Sequence, residues 1–300
     1  MGTKLGATLA ILNGVVGDHL HATGNGLAVE MTVARGAPGP RVVVFLHGLM
    51  CTEDVWAFPA GAPSEPGARC EPVASFPDGT DYGALLERDL GIAPLYVRFN
   101  TGRRVADNGA ELARLLEELT ARHPVIEEIL LVGFSMGGLV IRSATHIAAA
   151  ANMRWLGLVT RAFYLGTPHL GSPWERAGRW VVGLLRGIGD PYTELVAELA
   201  DVRSGGIKDL GDAAHPLPLL PEIRHHFIAG FVDARLAEAI GDALVPLASG
   251  TNGAVSDTQT IPPHHVKIIP GLAHMTLAHH PAVYAHLRAW CEAAREEHPS

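Results

Sequence analysis

The chain has 300 residues, 48% of them hydrophobic and 18% charged, which supplies one large core and excludes wholesale disorder. Its 23 Lys and Arg against 31 Asp and Glu leave a formal charge of -8 with no basic patch, an argument against a nucleic-acid partner and, more weakly, against polyanionic substrates or anionic membranes. Three scattered cysteines, Cys51, Cys70 and Cys291, make no disulfide framework and predict free thiols in a reducing, cytoplasmic compartment.

The stretch after Lys4, LGATLAILNGVVG, resembles a short signal core. Asn13, its glycines and the nearby Asp18 interrupt it, and no small-x-small cleavage site follows, so it reads as the first helix of the folded chain. No apolar run reaches the roughly 18 residues of a membrane span. RVVVFLHG (41–48) is a β-branched run ending in glycine, the pattern of a buried strand. The Gly/Pro-rich stretch 57–83 is a surface excursion. GALLERDLG then reads as a short helix, APLYVRFN as a strand, 109–123 as a helix and IEEILLVGF (126–134) as a strand. A helix over 138–153 and a strand with its exit loop over 158–169 complete the first half. This alternation predicts the α/β class, with a mostly parallel sheet and crossover helices.

Residues 172–224 break the rhythm. WERAGRWVVGLLRGIG carries Trp174 and Trp180, and a proline-rich PLPLLPEI closes the stretch. The expectation is a cap or lid inserted within a single domain 1–300. If it covers a site, Trp174 and Trp180 would line an acyl-chain pocket; otherwise they belong to an apolar face packed on the core. HHFIAGF (225–231) and HHVKIIPG (264–271) resume the strands, and 281–298 is a terminal amphipathic helix.

Chemistry concentrates at Gly133-Phe134-Ser135-Met136-Gly137, a G-x-S-x-G between a strand and a helix. In that context the pattern is a nucleophile elbow: a sharp turn lifts the serine hydroxyl above the sheet edge, and the glycines leave room for neighbouring backbone. A serine hydroxyl needs a base. Among 16 histidines, His274 alone follows a late strand by a few residues. His264 and His265 precede that strand, and His279 and His280 lie at the start of the next helix. The base needs an acid, for which Asp242, Asp233 and Asp257 are all candidates. The Met136 amide at the helix start and a second amide after His47-Gly48, that of Leu49, are the expected oxyanion donors. His47 reads as a residue that fixes this loop. Asn100-Thr101-Gly102-Arg103-Arg104 is either part of the site's rim or a plain loop–helix junction. The paired histidines lack zinc spacing, so no metal is expected.

FLHGL (45–49), GFSMGG (133–138), YLGTPHLGSP (164–173), GDALVP (241–246) and GLAHMTLAHHPAVY (271–284) together resemble the α/β-hydrolase superfamily. More narrowly, they resemble bacterial esterases and lipases of the GPI inositol-deacylase-like kind. The resemblance implies an α/β-hydrolase fold, Ser135 as nucleophile, Asp242 as acid, His274 as base, and Leu49 and Met136 as oxyanion donors. It implies hydrolysis of a small acyl ester, lipid esters included, without a cofactor. Acyl transfer to an alcohol through the same residues is the alternative reading, and a non-catalytic binding protein of this fold is a weaker third.

Overall fold

The computed structural model describes residues 4–59, 79–170, 204–211, 217–231, 250–251 and 261–296. Among them, one sheet holds β1 (Thr32–Arg35), β2 (Arg41–Leu46), β3 (Ala93–Arg98), β4 (Glu128–Phe134), β5 (Val159–Leu165), β6 (Arg224–Phe231) and β7 (Val266–Pro270). Its order is β1-β3-β2-β4-β5-β6-β7; β1 runs antiparallel to β3, and all other neighbours are parallel. The parallel sheet expected from the alternating sequence is therefore present. The short edge strand β1, mostly exposed and with a register shift between Val33 and Arg35, carries too little periodicity to be read in advance.

Val42 to Leu46 of β2 are all fully buried because helices cover both faces of the sheet, so the strand reads as an unbroken apolar run rather than an alternating one. On one face, Val42, Val44, Leu131 and Tyr164 pack with Leu112 and Leu116 of α3 (Val105–Arg122) and Val140 and Ile141 of α4 (Met136–Ala150). On the other, Val43, Phe45, Val132 and Phe163 pack with Leu85 and Leu86 of α2 (Tyr82–Leu90) and Val283 and Leu287 of the C-terminal helix, Pro281–Glu296. Each such side chain contributes about 1.5–3 kcal/mol on burial.

Helix ends follow local chemistry. The Asp81 side chain accepts the Ala84 amide at 2.8 Å to start α2, and Gly91, at φ 67, ends it in the left-handed region. α3 begins four residues before Gly109, since Asp209 accepts the Val105 amide at 2.7 Å. Gly109 lies inside the helix, where its missing side chain lets α3 approach Ser143 of α4.

The N-terminal stretch is a helix, α1 (Lys4–Ala22), with non-helical backbone at Val16. Asn13 is buried within it and binds the chain that follows, donating to the Leu27 carbonyl at 2.8 Å and accepting the Val29 amide at 2.9 Å. Ile11 and Val15 pack with Leu49, Met50 and Met136, and with Ile207 and Leu210 of α5 (Gly205–Gly211). With α5 so numbered, the C-terminal helix is α6. Most of segment 172–224 lies outside the described residues. Its closing part does not: Leu219 and Ile223 join the core beside α4, and Arg142 donates to the Leu217 carbonyl. No helix among the described residues is long and apolar enough to cross a membrane.

Candidate active site

Ser135 stands between β4 and α4 with φ 53 and ψ -122, a conformation that costs a residue with a side chain free energy. The turn is held from two sides: the Ser135 amide donates to the Leu165 carbonyl at 2.9 Å, and the Gly138 amide donates to the Ser135 carbonyl at 3.1 Å. The glycines have a measurable reason. A Cβ on Gly133 would come within 2.5 Å of Gly138 Cα, and one on Gly137 would collide with the Leu46 carbonyl. The strand and helix can therefore meet this sharply only with hydrogen at both positions.

The loop after β2 runs beside the elbow. A Cβ on Gly48 would stand 3.1 Å from Ser135 Cβ. The Cys51 amide closes a turn onto the Gly48 carbonyl at 3.2 Å, and Met50, third in that turn, has φ 59. The Leu49 amide makes no hydrogen bond among the described residues. As the first residue of α4, Met136 has an amide that no intrahelical carbonyl reaches. The loop that carries Leu49 and the helix start at Met136 thus both adjoin the serine.

His47 fixes this loop from beneath. It is fully buried, stacks on Phe99 with centroids 4.5 Å apart, and its Nδ1 pairs with the Gly48 carbonyl at 3.0 Å. Burial pushes its pKa down to about 4, so it stays neutral and able to donate from Nδ1 at neutral pH. Next to it, Glu53 accepts from Arg98 Nε at 2.9 Å; burial pushes the Glu53 carboxyl up, but the Arg98 bond, a hydrogen bond from its own backbone and the Arg98 charge together hold it below its ordinary range.

His274 opens a short 3-10 turn, His274–Ala278, after β7 and is buried. Its ring lies against that of Phe134, the residue before the serine, at 5.0 Å between centroids. Gly166, φ 59, is a second neighbour: a Cβ there would stand 3.1 Å from both Nδ1 and Cε1 of the imidazole and 2.9 Å from Leu277 Cδ1. The GTPH stretch therefore makes room for this ring. Tyr82 of α2 braces the turn: its hydroxyl lies 3.1 Å from the Leu277 carbonyl and 3.0 Å from that of His280, and it accepts the His280 amide at 2.6 Å. The rival His279 is engaged elsewhere, its Nδ1 3.1 Å from the Val55 carbonyl. His264 and His265 sit in a 3-10 turn before β7, at the opposite end of that strand.

Ser135, Leu49, Met136 and His274 are thus gathered at the carboxyl edge of the sheet. Asp242, its rivals Asp233 and Asp257, and Trp174 and Trp180 lie outside the described residues. Among the described residues, no group of three or more His, Cys, Asp or Glu is arranged to hold a metal ion. Two features escaped the sequence reading: Gly166 as the seat of the imidazole, and the Thr101 hydroxyl, which accepts the Met50 amide at 3.1 Å. The glycine of GTPH was a visible signal for the first; for the second nothing local distinguishes this threonine from others.

No known family model and no curated protein matches the chain. Among solved structures, an esterase from Rhodococcus is similar over 86% of this chain and 94% of its own, at TM-score 0.50 and 17% identity. The propeptide form of a lipase from Bacillus licheniformis is similar over 85% of this chain at TM-score 0.50 and 18% identity, and the match spans 51% of that longer chain. Its mature form is covered over 95%, at TM-score 0.49 and 17% identity. With its mostly parallel sheet, flanking helices and strand–serine–helix junction, the chain has the α/β-hydrolase fold.

Proposed function

We propose that the protein is a serine hydrolase that cleaves carboxylic esters through an acyl-enzyme. The observation that carries this reading is the backbone of Ser135: a serine held at φ 53 and ψ -122 at the junction of a parallel strand and a helix N-terminus is the strained geometry of a nucleophile elbow. In the proposed reaction His274 takes the Ser135 proton as the hydroxyl oxygen attacks the ester carbonyl. The oxyanion is met by the Leu49 and Met136 amides, each worth about 2.7–4 kcal/mol of transition-state stabilisation. His274 then protonates the leaving alcohol, and water, activated by the same imidazole, releases the acid. Asp242 holds the His274 tautomer. No step calls for a cofactor.

In this reading the part of 172–224 before Leu217, within a single hydrolase domain, forms a lid that brings Trp174 and Trp180 to the acyl group, while Leu219 and Ile223 belong to the core and Arg224 to β6. The test is Ser135→Ala against p-nitrophenyl esters of increasing acyl length, with a fluorophosphonate probe alongside. The expected outcome is a folded variant without turnover and no probe adduct, against stoichiometric labelling of Ser135 in the parent. More than a few per cent of parental turnover in Ser135→Ala would remove the serine from its role.

A further inference from the structure

The segment Asn100-Thr101-Gly102 follows β3 and reaches four neighbours at once. Asn100 Nδ2 donates to the Gly17 carbonyl of α1 at 2.9 Å, and its Oδ1 accepts the Gly102 amide at 3.0 Å. The Asn100 carbonyl accepts Asn108 Nδ2 of α3 at 2.9 Å, and the Gly102 carbonyl accepts the Gly206 amide of α5 at 2.9 Å. Both Asn100 and Thr101 are 1% exposed. The segment is therefore a rigid bracket, and one of its polar groups is aimed at the loop beside the serine: Thr101 Oγ1 accepts the Met50 amide at 3.1 Å.

That hydrogen bond bears on the site because of where Met50 stands. Residues 48–51 form a turn closed by the Cys51 amide on the Gly48 carbonyl. Its third position needs a left-handed backbone when the central peptide is turned as in a type II turn, and Met50, with φ 59, meets that need without being glycine. The same residues with the central peptide turned over would form a type I turn and relieve the strain. In the observed turn the Met50 N–H faces Thr101; after a flip the Leu49 carbonyl would face the threonine in its place. The threonine oxygen thus rewards one of two turn states; the Leu49 amide belongs to the preceding peptide, which such a flip leaves in place, so the bond bears on that amide by anchoring the residue that follows it.

We propose that Thr101 is a positioning residue of the oxyanion hole: by accepting the Met50 amide, its hydroxyl ties the residue after Leu49 to the rigid bracket and so fixes the loop that carries the Leu49 N–H, whose Gly48 lies against Ser135. The inference rests on the serine-hydrolase reading above. It predicts a role expressed in the transition state, since the oxyanion needs the donor aligned and the ground-state ester needs it less.

The experiment compares Thr101→Val, which keeps shape and removes the acceptor, with Thr101→Ser, which keeps the acceptor, on p-nitrophenyl butyrate. Thr101→Val is expected to lower kcat by about 10- to 100-fold with KM within about twofold, the size of a donor moved by a fraction of an ångström rather than deleted. Thr101→Ser is expected to restore kcat to within about threefold. A threonine that served stability alone would shift the melting temperature and leave the kcat of the folded fraction unchanged, and that result overturns the inference. If Thr101→Val does not fold, Thr101→Ala against Thr101→Ser decides: an alanine variant with parental kcat overturns the proposal, and a serine-only recovery supports it. Ser135→Ala runs in the same assay. Loss in Ser135→Ala with no effect at Thr101 overturns this inference alone, whereas turnover surviving in Ser135→Ala overturns the serine reading and this inference with it.

Discussion

The imidazole of His274 lies against the ring of Phe134, 5.0 Å between centroids, and so close to Gly166 that a Cβ there would stand 3.1 Å from its Nδ1 and Cε1. These residues come from the exits of β7, β4 and β5, whose parallel pairing brings their carboxyl ends together at one edge. The ring thus occupies a slot formed in part by the last residue of β4 and by the glycine that follows β5.

Gly166→Ala tests that slot. An ideal Cβ there stands 2.9 Å from Leu277 Cδ1 and 3.1 Å from the imidazole, so the new methyl would press on both, and the residue would keep φ 59 at a cost of about 1–2 kcal/mol. The expected result is a folded protein with a melting temperature lower by a few degrees and kcat reduced at least about tenfold through displacement of His274. Unchanged ester turnover would show that this ring position does not matter to the reaction.

Asp242→Asn tests the acid. An amide there would preserve shape and favour the wrong imidazole tautomer, so kcat is expected to fall by about 10⁴-fold. Asp233→Asn and Asp257→Asn are expected to stay within about threefold of the parent. Steady-state kinetics on all three variants decides the assignment, and a loss confined to Asp233→Asn would move the role there.

His226 supplies a prediction about pH. It is buried, stacks on Phe163 at 5.0 Å, lies 4.2 Å from the His265 ring centroid, and neither of its ring nitrogens has a hydrogen-bond partner among the described residues. Burial first, and the charges of His265 and Arg161 next, push its pKa down to about 2. A folded value below the unfolded value near 6.5 means that the unfolded chain binds more protons between the two. The stabilising contribution is complete above about pH 6.5 and is lost as pH falls from there towards the folded value. His47 and His225, each lowered to about 4 chiefly by burial, act with the same sign. The urea midpoint is therefore expected to drop between about pH 7 and about pH 5. His226→Phe, which fills the same ring slot without orphaned nitrogens, is expected to flatten that slope and add about 1 kcal/mol at the acidic end. A variant with the parental pH slope would place the acid sensitivity elsewhere.

Local pattern carried most of the architecture. Past their polar first residues, RVVVFL, EILLVGF and TRAFYL run on as VVVFL, ILLVGF and AFYL, apolar without alternation because both their faces are covered, and that same property identifies central parallel strands in a sequence. The strand–Ser135–helix junction was legible for a similar reason, since Gly133 and Gly137 answer a steric demand made within a few residues of the serine. Where the reading fell short, the deciding partner was distant. α3 starts at Val105 because Asp209, about a hundred residues away, caps it, while Gly109, which looks like a helix boundary, is a contact with Ser143. β1 was invisible because an exposed four-residue edge strand needs neither periodicity nor apolar residues, only a free edge on β3.

The sequence alone determined the α/β alternation, the elbow at Ser135 and the candidacy of His274, because each is a constraint between residues close in the chain or a position relative to a strand end. Tertiary packing decided that Gly166 opens the space for the imidazole, that α1 lies against Leu49 and Met136, and that Thr101 takes the Met50 amide. Such contacts join segments tens to more than a hundred residues apart. Their geometry follows from how the two layers of helices settle on the sheet, and no short-range pattern encodes that.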